Sequence, residues 1–364
     1  MKYWFLFVFI VLSKVVLAQS AEDYIRQGIA EMEAGQYAAA LDLLQKAEKM
    51  APENMAPVYE MGMVYYLQKK YKQAVPFFQK IVQGPQYKNT DALAWAMLGN
   101  AQSLSGDSAA AVNTYQEGRK KFPQSGRLFM EEGHLYTQHG DYSKALCCYE
   151  TAVKTEPVFP GGSRGAATIW AITDERFHAL HFGELFMNLE TGGERNENMS
   201  ELLYKIINEA VTLTDTTAEV TLTKNMLATV EKGKPVLPLA ASYESCFMMG
   251  ISSILIQRGN NKTRGPLHLQ EIVSLYRVAN AQWFDRGLHK KYPDELLDRQ
   301  QKLLDKTLLE PYVYWLFRKG RPEEYKEWLS KNKELFDQFK TWMEKNSYAP
   351  TSKKVYQSGF ACKN

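Results

Sequence analysis

The sequence has few cysteines, no basic cluster and no long apolar segment after its first residues. Four cysteines in 364 residues are too few for a dense disulfide framework. The formal net charge of +3 includes Lys2 and Lys14, which lie near the N-terminus, so the rest of the chain is close to neutral. Because no polybasic tract is present to attract a polyanion, we expect no nucleic-acid partner.

The cysteines are Cys147, Cys148, Cys246 and Cys362. Neighbouring cysteines on one helix point about 100° apart, so the first two are poorly placed to bond each other. We predict that all four are packing residues. A Cys246–Cys362 disulfide in an oxidising compartment is the alternative.

Catalytic fingerprints are also absent. The chain has no G-x-S-x-G, phosphate-binding loop, H-E-x-x-H, dinucleotide fingerprint or C-x-x-C spacing. We therefore predict no enzyme activity, no cofactor and no metal.

Acidic residues and histidines nevertheless recur at short spacing in two places. Glu131 and His134 form an E-x-x-H pair, and four residues share one predicted helix: Glu175, His178, His181 and Glu184. Di-iron bundles use two E-x-x-H motifs on converging helices, whereas these two lie in different helical hairpins. The favoured interpretation is a helix surface that faces solvent or a partner.

Residues 1–18 have the pattern of a secretory signal. Lys2 precedes an apolar run from Tyr3 to Leu12, and the segment ends in Val-Leu-Ala with Ala18 at the predicted cleavage site. A membrane anchor would need about 20 apolar residues, and Lys14 interrupts the run. We predict an exported chain, in the periplasm, at the cell surface or secreted, with no membrane span in the later sequence.

Residues 125–157 have the spacing of one helical hairpin. Gly133 and Ala145 are small where two helices would cross, Gly140-Asp141 forms the turn, and Pro157 ends the second helix. Bulk on the facing sides comes from four aromatic residues: Phe129, Tyr136, Tyr142 and Tyr149. Two helices of this length cannot bury their apolar faces alone, so further copies are expected.

Three further copies precede this hairpin. Pro123 and Pro157 occupy equivalent positions in successive copies, and the copy that ends at Pro123 aligns through Trp95, Leu98, Gly99, Gly106-Asp107, Ala111 and Tyr115. The second copy contains Val58, Met61, Gly62, Tyr65, Tyr71, Ala74 and Phe78, with Lys69-Lys70 in place of the Gly-Asp turn. The first contains Tyr24, Gly28, Gly35, Tyr37, Ala40, Leu44, Ala47 and Pro52.

A 34-residue period with W-x-x-L-G, a Gly-Asp turn, an aromatic and a closing proline resembles the tetratricopeptide repeat (TPR) family. The resemblance is to exported bacterial members. It implies an all-α fold, a right-handed α-solenoid of TPR hairpins, with four repeats in 19–157 and a degenerate fifth repeat or cap in 158–190. A helical region, 191–364, would continue the solenoid.

The resemblance also implies a concave groove lined by the first helix of each hairpin. Carried over by position, the predicted partner-binding residues are Tyr59, Met63, Tyr66, Asn100, Arg127, Met130, His134, Thr137 and Gln138. The aromatic and thioether groups suit an apolar anchor, and the amide, imidazole and guanidinium donors suit a peptide backbone or carboxylate. Alternatively, the apolar residues pack against a neighbouring hairpin, or the C-terminal region fills the groove.

Residues 191–364 show helical periodicity without the repeat register. Ala241 to Ile256 is predicted to be a buried helix, while 220–222 and 236–237 are strand candidates that are too short to alter the class. We expect the tail from Tyr348 to be loosely ordered until Phe360.

The favoured function is an exported scaffold that binds a peptide segment of a cell-envelope protein in the groove. The alternative is a glycan-binding or catalytic module in residues 191–364, with the repeats as a docking arm. Four tryptophans could stack on sugars, although packing between helices is favoured for them: Trp283, Trp315, Trp328 and Trp342. Self-association of stacked arrays is a third alternative.

Overall fold

The computed structural model describes residues 19–87, 90–213, 218–224, 229–231, 234–258, 265–356, 358–360 and 362. The predicted signal, residues 1–18, lies outside the described residues. The described chain forms two compact units, one that ends at Asp107 and one that begins at Ser108. Within these ranges, no helix has the length and apolar content needed to cross a membrane.

Unit 1 consists of helical hairpins. Its helices are α1 (Ala21–Glu33), α2 (Tyr37–Met50), α3 (Ala56–Leu67), α4 (Tyr71–Gln83) and α5 (Ala92–Leu104). α1 packs on α2 and α3 on α4, and these hairpins stack through α2 against α3 and α4 against α5. Ser20 begins α1 as a capping box with Asp23, which satisfies two backbone donors of the first turn.

Small residues of the first helix meet large residues of the second where the hairpins cross. A Cβ added at Gly28 would lie 2.8 Å from Leu44, and one added at Gly62 would lie 2.8 Å from the ring of Phe78. In unit 2, a Cβ at Gly133 would lie 2.6 Å from the Tyr149 ring. The repeat pattern therefore reflects close helix crossing.

The hairpin turns need a left-handed backbone conformation. Gly35, Gly106 and Gly140 adopt φ values of 76°, 98° and 74° in three of the turns. Lys69 occupies the same position in the second hairpin with φ 58°. A residue with a Cβ is disfavoured in this region, so this turn carries backbone strain that the glycine turns avoid.

Unit 2 begins with six more stacked helices. They are α6 (Ser108–Lys121), α7 (Gly126–Gln138), α8 (Tyr142–Thr155), α9 (Pro160–Trp170), α10 (Arg176–Leu189) and α11 (Glu194–Ala210). α7 and α8 form one hairpin and α9 and α10 another; α8 packs on α9, α7 also packs on α9, and α10 packs on α11. Arg119 of α6 forms an ion pair with the buried Glu132 of α7.

Four short strands interrupt the helices after α11. They are β1 (Val211–Leu213), β2 (Ala218–Val220), β3 (Thr229–Glu231) and β4 (Lys234–Val236). β1 and β2 pair antiparallel, as do β3 and β4. The strand candidates at 220–222 and 236–237 were predicted to leave the all-α class unchanged, and they do, because each three-residue strand pairs only with its hairpin partner.

The remaining helices form the C-terminal part of unit 2. They are α12 (Leu239–Arg258), α13 (Leu269–Asp285), α14 (Leu288–Lys291), α15 (Glu295–Asp305), α16 (Leu309–Phe317), α17 (Pro322–Lys331) and α18 (Lys333–Lys345). α12 is the helix predicted from the apolar run, but it is buried on one side only, since Met248, Met249 and Leu255 are exposed. Glu244 within it accepts hydrogen bonds from the backbone N–H groups of Leu222 and Thr223, at 2.6 and 2.8 Å. α13 and α16 pack at the centre of this part.

A buried polar network crosses this core. The Glu184 carboxylate of α10 accepts hydrogen bonds from Tyr276 Oη at 3.2 Å, from Tyr312 Oη at 2.6 Å and from Gln300 Nε2 at 2.5 Å. Asn188 Nδ2 donates to Tyr312 Oη at 2.7 Å. The described residues thus confirm the all-α class, with repeat hairpins followed by a helical C-terminal region.

Candidate functional site

The nine residues predicted to bind a partner are divided between the two units. Tyr59, Met63 and Tyr66 lie on α3 and the half-buried Asn100 on α5, all in unit 1. The other five lie on α7 in unit 2: Arg127, Met130, His134, Thr137 and Gln138. The two groups belong to separately packed sets of helices, and the binding role of each stays a prediction.

In unit 1, the rings of α3 are half-buried against α4 of their own hairpin. Tyr59 meets Phe78 edge-on with 5.6 Å between ring centroids, and Tyr66 meets Tyr71 edge-on at 5.2 Å. Met63 lies between them on α3 and is also half-buried. The contacts fix the rings while part of each side chain stays exposed, which suits an apolar anchor.

α3 also carries one carboxyl group, that of Glu60. Glu60 is half-buried, and burial followed by the charge of Glu33 on α1 raises the pKa of its carboxyl group. A ligand of this face would therefore need an apolar or basic group rather than a further carboxylate.

In unit 2, α7 and α9 lie side by side and form a polar surface that we call the α7–α9 strip. Its residues are Arg127, Glu131, His134, Thr137 and Gln138 of α7 and Arg164 of α9. All except the exposed Gln138 are half-buried. The predicted set did not include Arg164 or the neighbouring Thr168, because the groove-lining positions were carried over only as far as the fourth repeat. One repeat length of 34 residues places Arg164 at the position of Met130 and Thr168 at that of His134.

Tyr149 of α8 lies beneath the strip and holds its polar side chains in place. Its hydroxyl group and Thr137 Oγ1 are 3.0 Å apart, and its ring meets the His134 ring edge-on at 5.7 Å. Burial raises the pKa of Tyr149 to about 12, although the Thr137 hydrogen bond and the Arg164 charge act in the opposite direction. The residue is therefore a neutral, rigid support.

Close approach of α9 to α7 and α8 depends on two glycines. A Cβ added at Gly165 of α9 would lie 2.4 Å from the Tyr149 ring. A Cβ at Gly161 would lie 2.2 Å from the sulfur of Met130. Met130 is only 9% exposed, so this member of the predicted set packs between the helices.

The charged groups of the strip are partly exposed to solvent. The guanidinium of Arg127 lies 5.2 Å from the centroid of the Phe159 ring. His134 Nδ1 is 3.4 Å from a Glu131 carboxylate oxygen, and the His134 side chain is 41% exposed against 14% for Glu131. Two arginines, an imidazole and an amide on adjacent helices can donate to backbone carbonyls and acidic side chains of an extended peptide.

Sequence reasoning missed the docking of the C-terminal tail, and its expectation for the cysteines was wrong. Cys147 of α8 forms a disulfide with Cys362, while Cys148 and Cys246 are free and buried. The tail is not loosely ordered: Val355 and Tyr356 are buried, and Ser358 Oγ donates to the Glu150 carboxylate at 2.6 Å. Two residues 215 positions apart meet only through the tertiary fold, so no local signal could pair them.

The expected solvent-facing surface of α10 was also wrong. His178, His181 and Glu184 are 9%, 5% and 3% exposed. α10 packs against α9, α11 and α12, and the Tyr356 ring of the tail lies 4.3 Å from the His181 ring, so the helix is covered on every side. His181 Nε2 lies 3.0 Å from an Asp294 carboxylate oxygen, without hydrogen-bond geometry.

The tail also contacts His178 of α10, which is buried. The Tyr356 hydroxyl group and His178 Nδ1 form a hydrogen bond. Burial, with a smaller contribution from His181, lowers the pKa of His178 to about 4. Among the described residues, no group of three or more His, Cys, Asp or Glu side chains is placed to hold a metal ion.

The tryptophans of the C-terminal region have the predicted packing role in three cases. Trp283, Trp315 and Trp328 are 0%, 7% and 8% exposed. Trp342 is half-buried and covers the guanidinium of Arg299 at 4.7 Å.

A family model matches the first two repeat hairpins. Residues 25–88 match the sequence model of the family described as tetratricopeptide repeat. No curated protein matches the chain.

Solved structures show similarity over about half of the chain. TTC0263, a thermophilic TPR protein of Thermus thermophilus, is 17% identical, with 50% of this chain and 99% of that chain covered and a TM-score of 0.41. PilF of Pseudomonas aeruginosa is 18% identical, with 51% and 82% covered and a TM-score of 0.42. YrrB, described as a TPR protein with an unusual peptide-binding site, is 18% identical, with 48% and 89% covered and a TM-score of 0.34.

The assignment rests on the family match together with the hairpins seen in the described residues. The matched segment contains the first two hairpins, with their small-to-large crossings at Gly28 and Gly62. Residues 25–88 therefore carry tetratricopeptide repeats, and the described residues after them continue as helical hairpins.

Proposed function

We propose that the protein is an exported scaffold whose α7–α9 strip binds an extended, acidic peptide segment of another cell-envelope protein. The observation that carries the proposal is the arrangement of Arg127, His134, Gln138 and Arg164 on adjacent helices above Tyr149. Their backbone positions are fixed by close packing, so a ligand would meet donors that are already ordered. The apolar face of α3, in unit 1, would bind an apolar segment of a partner.

The charges favour an acidic peptide at the strip. Glu131 is the one carboxylate of the strip, and it lies beside the His134 imidazole. The two guanidinium groups can each bind a carboxylate through two parallel hydrogen bonds, which gives both affinity and orientation. Binding should therefore weaken as ionic strength rises.

Export is supported by two independent features. Residues 1–18 have the pattern of a secretory signal. The disulfide between Cys147 and Cys362 is of the kind that persists in oxidising compartments. N-terminal sequencing of the mature protein should begin at Gln19; an N-terminus at Met1 would contradict export by this route.

A capture experiment with matched variants tests the binding surface. The tagged full-length chain would be mixed with an envelope extract of the source cell, and the retained proteins would be quantified. We expect Arg127→Ala with Gln138→Ala to reduce the retention of at least one specific protein by tenfold or more, since each lost charge-assisted hydrogen bond costs about 1.5–3 kcal/mol.

The control is Lys154→Ala, on the exposed side of α8. It also removes one positive charge from unit 2, so it should leave retention unchanged if the strip is the binding surface. Equal retention by the wild type, the double variant and Lys154→Ala would contradict the proposal.

A further inference from the structure

A cavity lies among helices of the C-terminal part of unit 2, away from the proposed peptide surface. It has a volume of about 460 Å³ and is lined by residues of α10, α15, α16 and α18. The apolar walls are formed by Leu189, Trp315, Phe336, Phe339 and Met343. This volume falls within the roughly 300–1,000 Å³ that is typical of small-molecule pockets.

One charged side chain lining the cavity is buried. Arg299 of α15 is 7% exposed. Its guanidinium lies between two rings, 4.7 Å from the centroid of Trp342 and 5.3 Å from that of Tyr348. Burial lowers the pKa of Arg299, which shows how strongly the site disfavours an isolated charge.

The hydrogen-bond acceptors of Arg299 are all neutral. Nε donates to Asn188 Oδ1 at 2.9 Å, Nη1 to the Asn346 carbonyl oxygen at 2.8 Å, and Nη2 to Met343 Sδ at 3.0 Å. Within the described ranges, no Asp or Glu oxygen forms an ion pair with it at a limit of 4.0 Å. A guanidinium has five N–H donors, so two remain for a ligand.

The buried carboxylate of the polar network does not replace an ion-pair partner. Glu184 reaches Arg299 only through Tyr312 and Asn188. Burial also raises the pKa of Glu184, which favours its neutral form. A buried cation without a direct counter-charge is costly, and a bound anion would remove that cost.

We propose that the cavity binds a carboxylate carried on an apolar or aromatic group. The carboxylate pairs with Arg299, and the apolar part fills the space between Trp315, Phe336 and Phe339. Lys340 and Glu344 lie at the rim, and Lys340 already forms an ion pair with Asp337 at 2.9 Å, so the positive charge offered to the ligand is that of Arg299. The same chemistry occurs in a free organic acid and in a protein C-terminus that ends in a large apolar residue.

The first test compares an acid with its neutral isostere. The full-length protein would be titrated with 4-phenylbutyrate and with 4-phenylbutyramide, and binding would be followed by calorimetry and tryptophan fluorescence. We expect saturable binding of the acid and at least tenfold weaker binding of the amide. Equal affinities, or no saturable binding of the acid at millimolar concentration, would overturn the proposal.

Variants locate the site. Ser347 is exposed and lines the cavity, so Ser347→Trp should fill the opening and weaken phenylbutyrate binding at least tenfold. Ser330→Trp places the same ring on the exposed side of α17 and should bind as the wild type does. Unchanged binding by Ser347→Trp, or an equal loss in both variants, would contradict the location.

A third variant tests the charge. Arg299→Met should bind the acid and the amide alike. If Arg299→Met does not fold, as judged by circular dichroism, the comparison of phenylbutyrate with phenylbutyramide still tests the charge, and that of Ser347→Trp with Ser330→Trp still tests the location.

A peptide separates the two sources of the ligand. The tripeptide Ala-Ala-Phe with a free carboxylate would be compared with phenylbutyrate and with its own amidated form. Tighter binding of the peptide than of phenylbutyrate supports a protein C-terminus, and the reverse supports a free acid. Amidation should abolish peptide binding, whereas equal binding of the amidated peptide would overturn the carboxylate requirement.

Discussion

Removing the bond between Cys147 and Cys362 should destabilise unit 2 more than any surface substitution. The disulfide joins the tail to α8 and closes a loop with a sequence separation of 215 residues. In the chain-entropy description, closing a loop of that length stabilises the folded state by about 5 kcal/mol, as an upper value. Cys362→Ser, whose side chain is exposed, removes the bond without placing a cavity in the core.

The non-covalent contacts of the tail decide how much of this value is observed. Tyr356 bonds to His178, Ser358 bonds to Glu150, and Phe360 meets Trp170 edge-on at 5.8 Å. If these contacts hold the tail in place in Cys362→Ser, this variant should keep the wild-type structure and have a smaller free energy of unfolding.

Urea denaturation gives the measurement. The free energy of unfolding of the wild type should fall by several kcal/mol when dithiothreitol is added, to the value of Cys362→Ser. The same reductant should leave Cys362→Ser unchanged. Burial raises the pKa of Cys148 to about 12, so alkylation of the native protein should not label this thiol and will report on the other cysteines.

Two results would refute this reasoning. One is an unfolding midpoint that is identical in the oxidised and reduced wild type. The other is rapid alkylation of Cys147 and Cys362 in protein purified from an oxidising compartment, because that would mean that the bond does not form.

Three further predictions concern the hairpins and the buried imidazole. Lys69→Gly should stabilise unit 1 by about 0.5–1 kcal/mol in urea denaturation, because it relieves the left-handed backbone, whereas Lys69→Ala should give no gain; equal effects would contradict this. Gly133→Ala should destabilise the protein by about 1–3 kcal/mol through contact with Tyr149, while Gly192→Ala, with open space around it, should be close to neutral. The pKa of His178 is about 4 in the folded protein and 6.5 in the unfolded chain. Between these pH values the unfolded chain is protonated at His178 and the folded protein is not. The stability that this residue contributes is present above pH 6.5 and falls by about 2 kcal/mol from pH 7 to pH 5, a loss that should be missing in His178→Phe.

The repeat hairpins could be predicted from the sequence because their determinants are local. Gly28, Gly62 and Gly133 face residues sixteen positions later, and the same spacing recurs in each copy. A short connection brings such positions together almost regardless of the rest of the chain.

The tail and α10 could not be predicted in this way. His178 and His181 look like an exposed amphipathic pattern until the strands after α11, helix α12 and Tyr356 are added around them. Those neighbours come from distant parts of the sequence and follow no repeat. Arg164 of the strip could have been predicted, because it lies one repeat length of 34 residues after Met130.

The most direct test of the central claim is site-specific photo-crosslinking in the source cell. A benzoylphenylalanine at Gln138, the exposed end of the strip, would be compared with one at Lys154 on α8. The proposal predicts that Gln138 gives a discrete cross-link to an acidic segment of one envelope protein, that Lys154 does not, and that Arg127→Ala reduces the yield. The same cross-links from both positions, or none from Gln138, would contradict the claim that the α7–α9 strip is the binding surface.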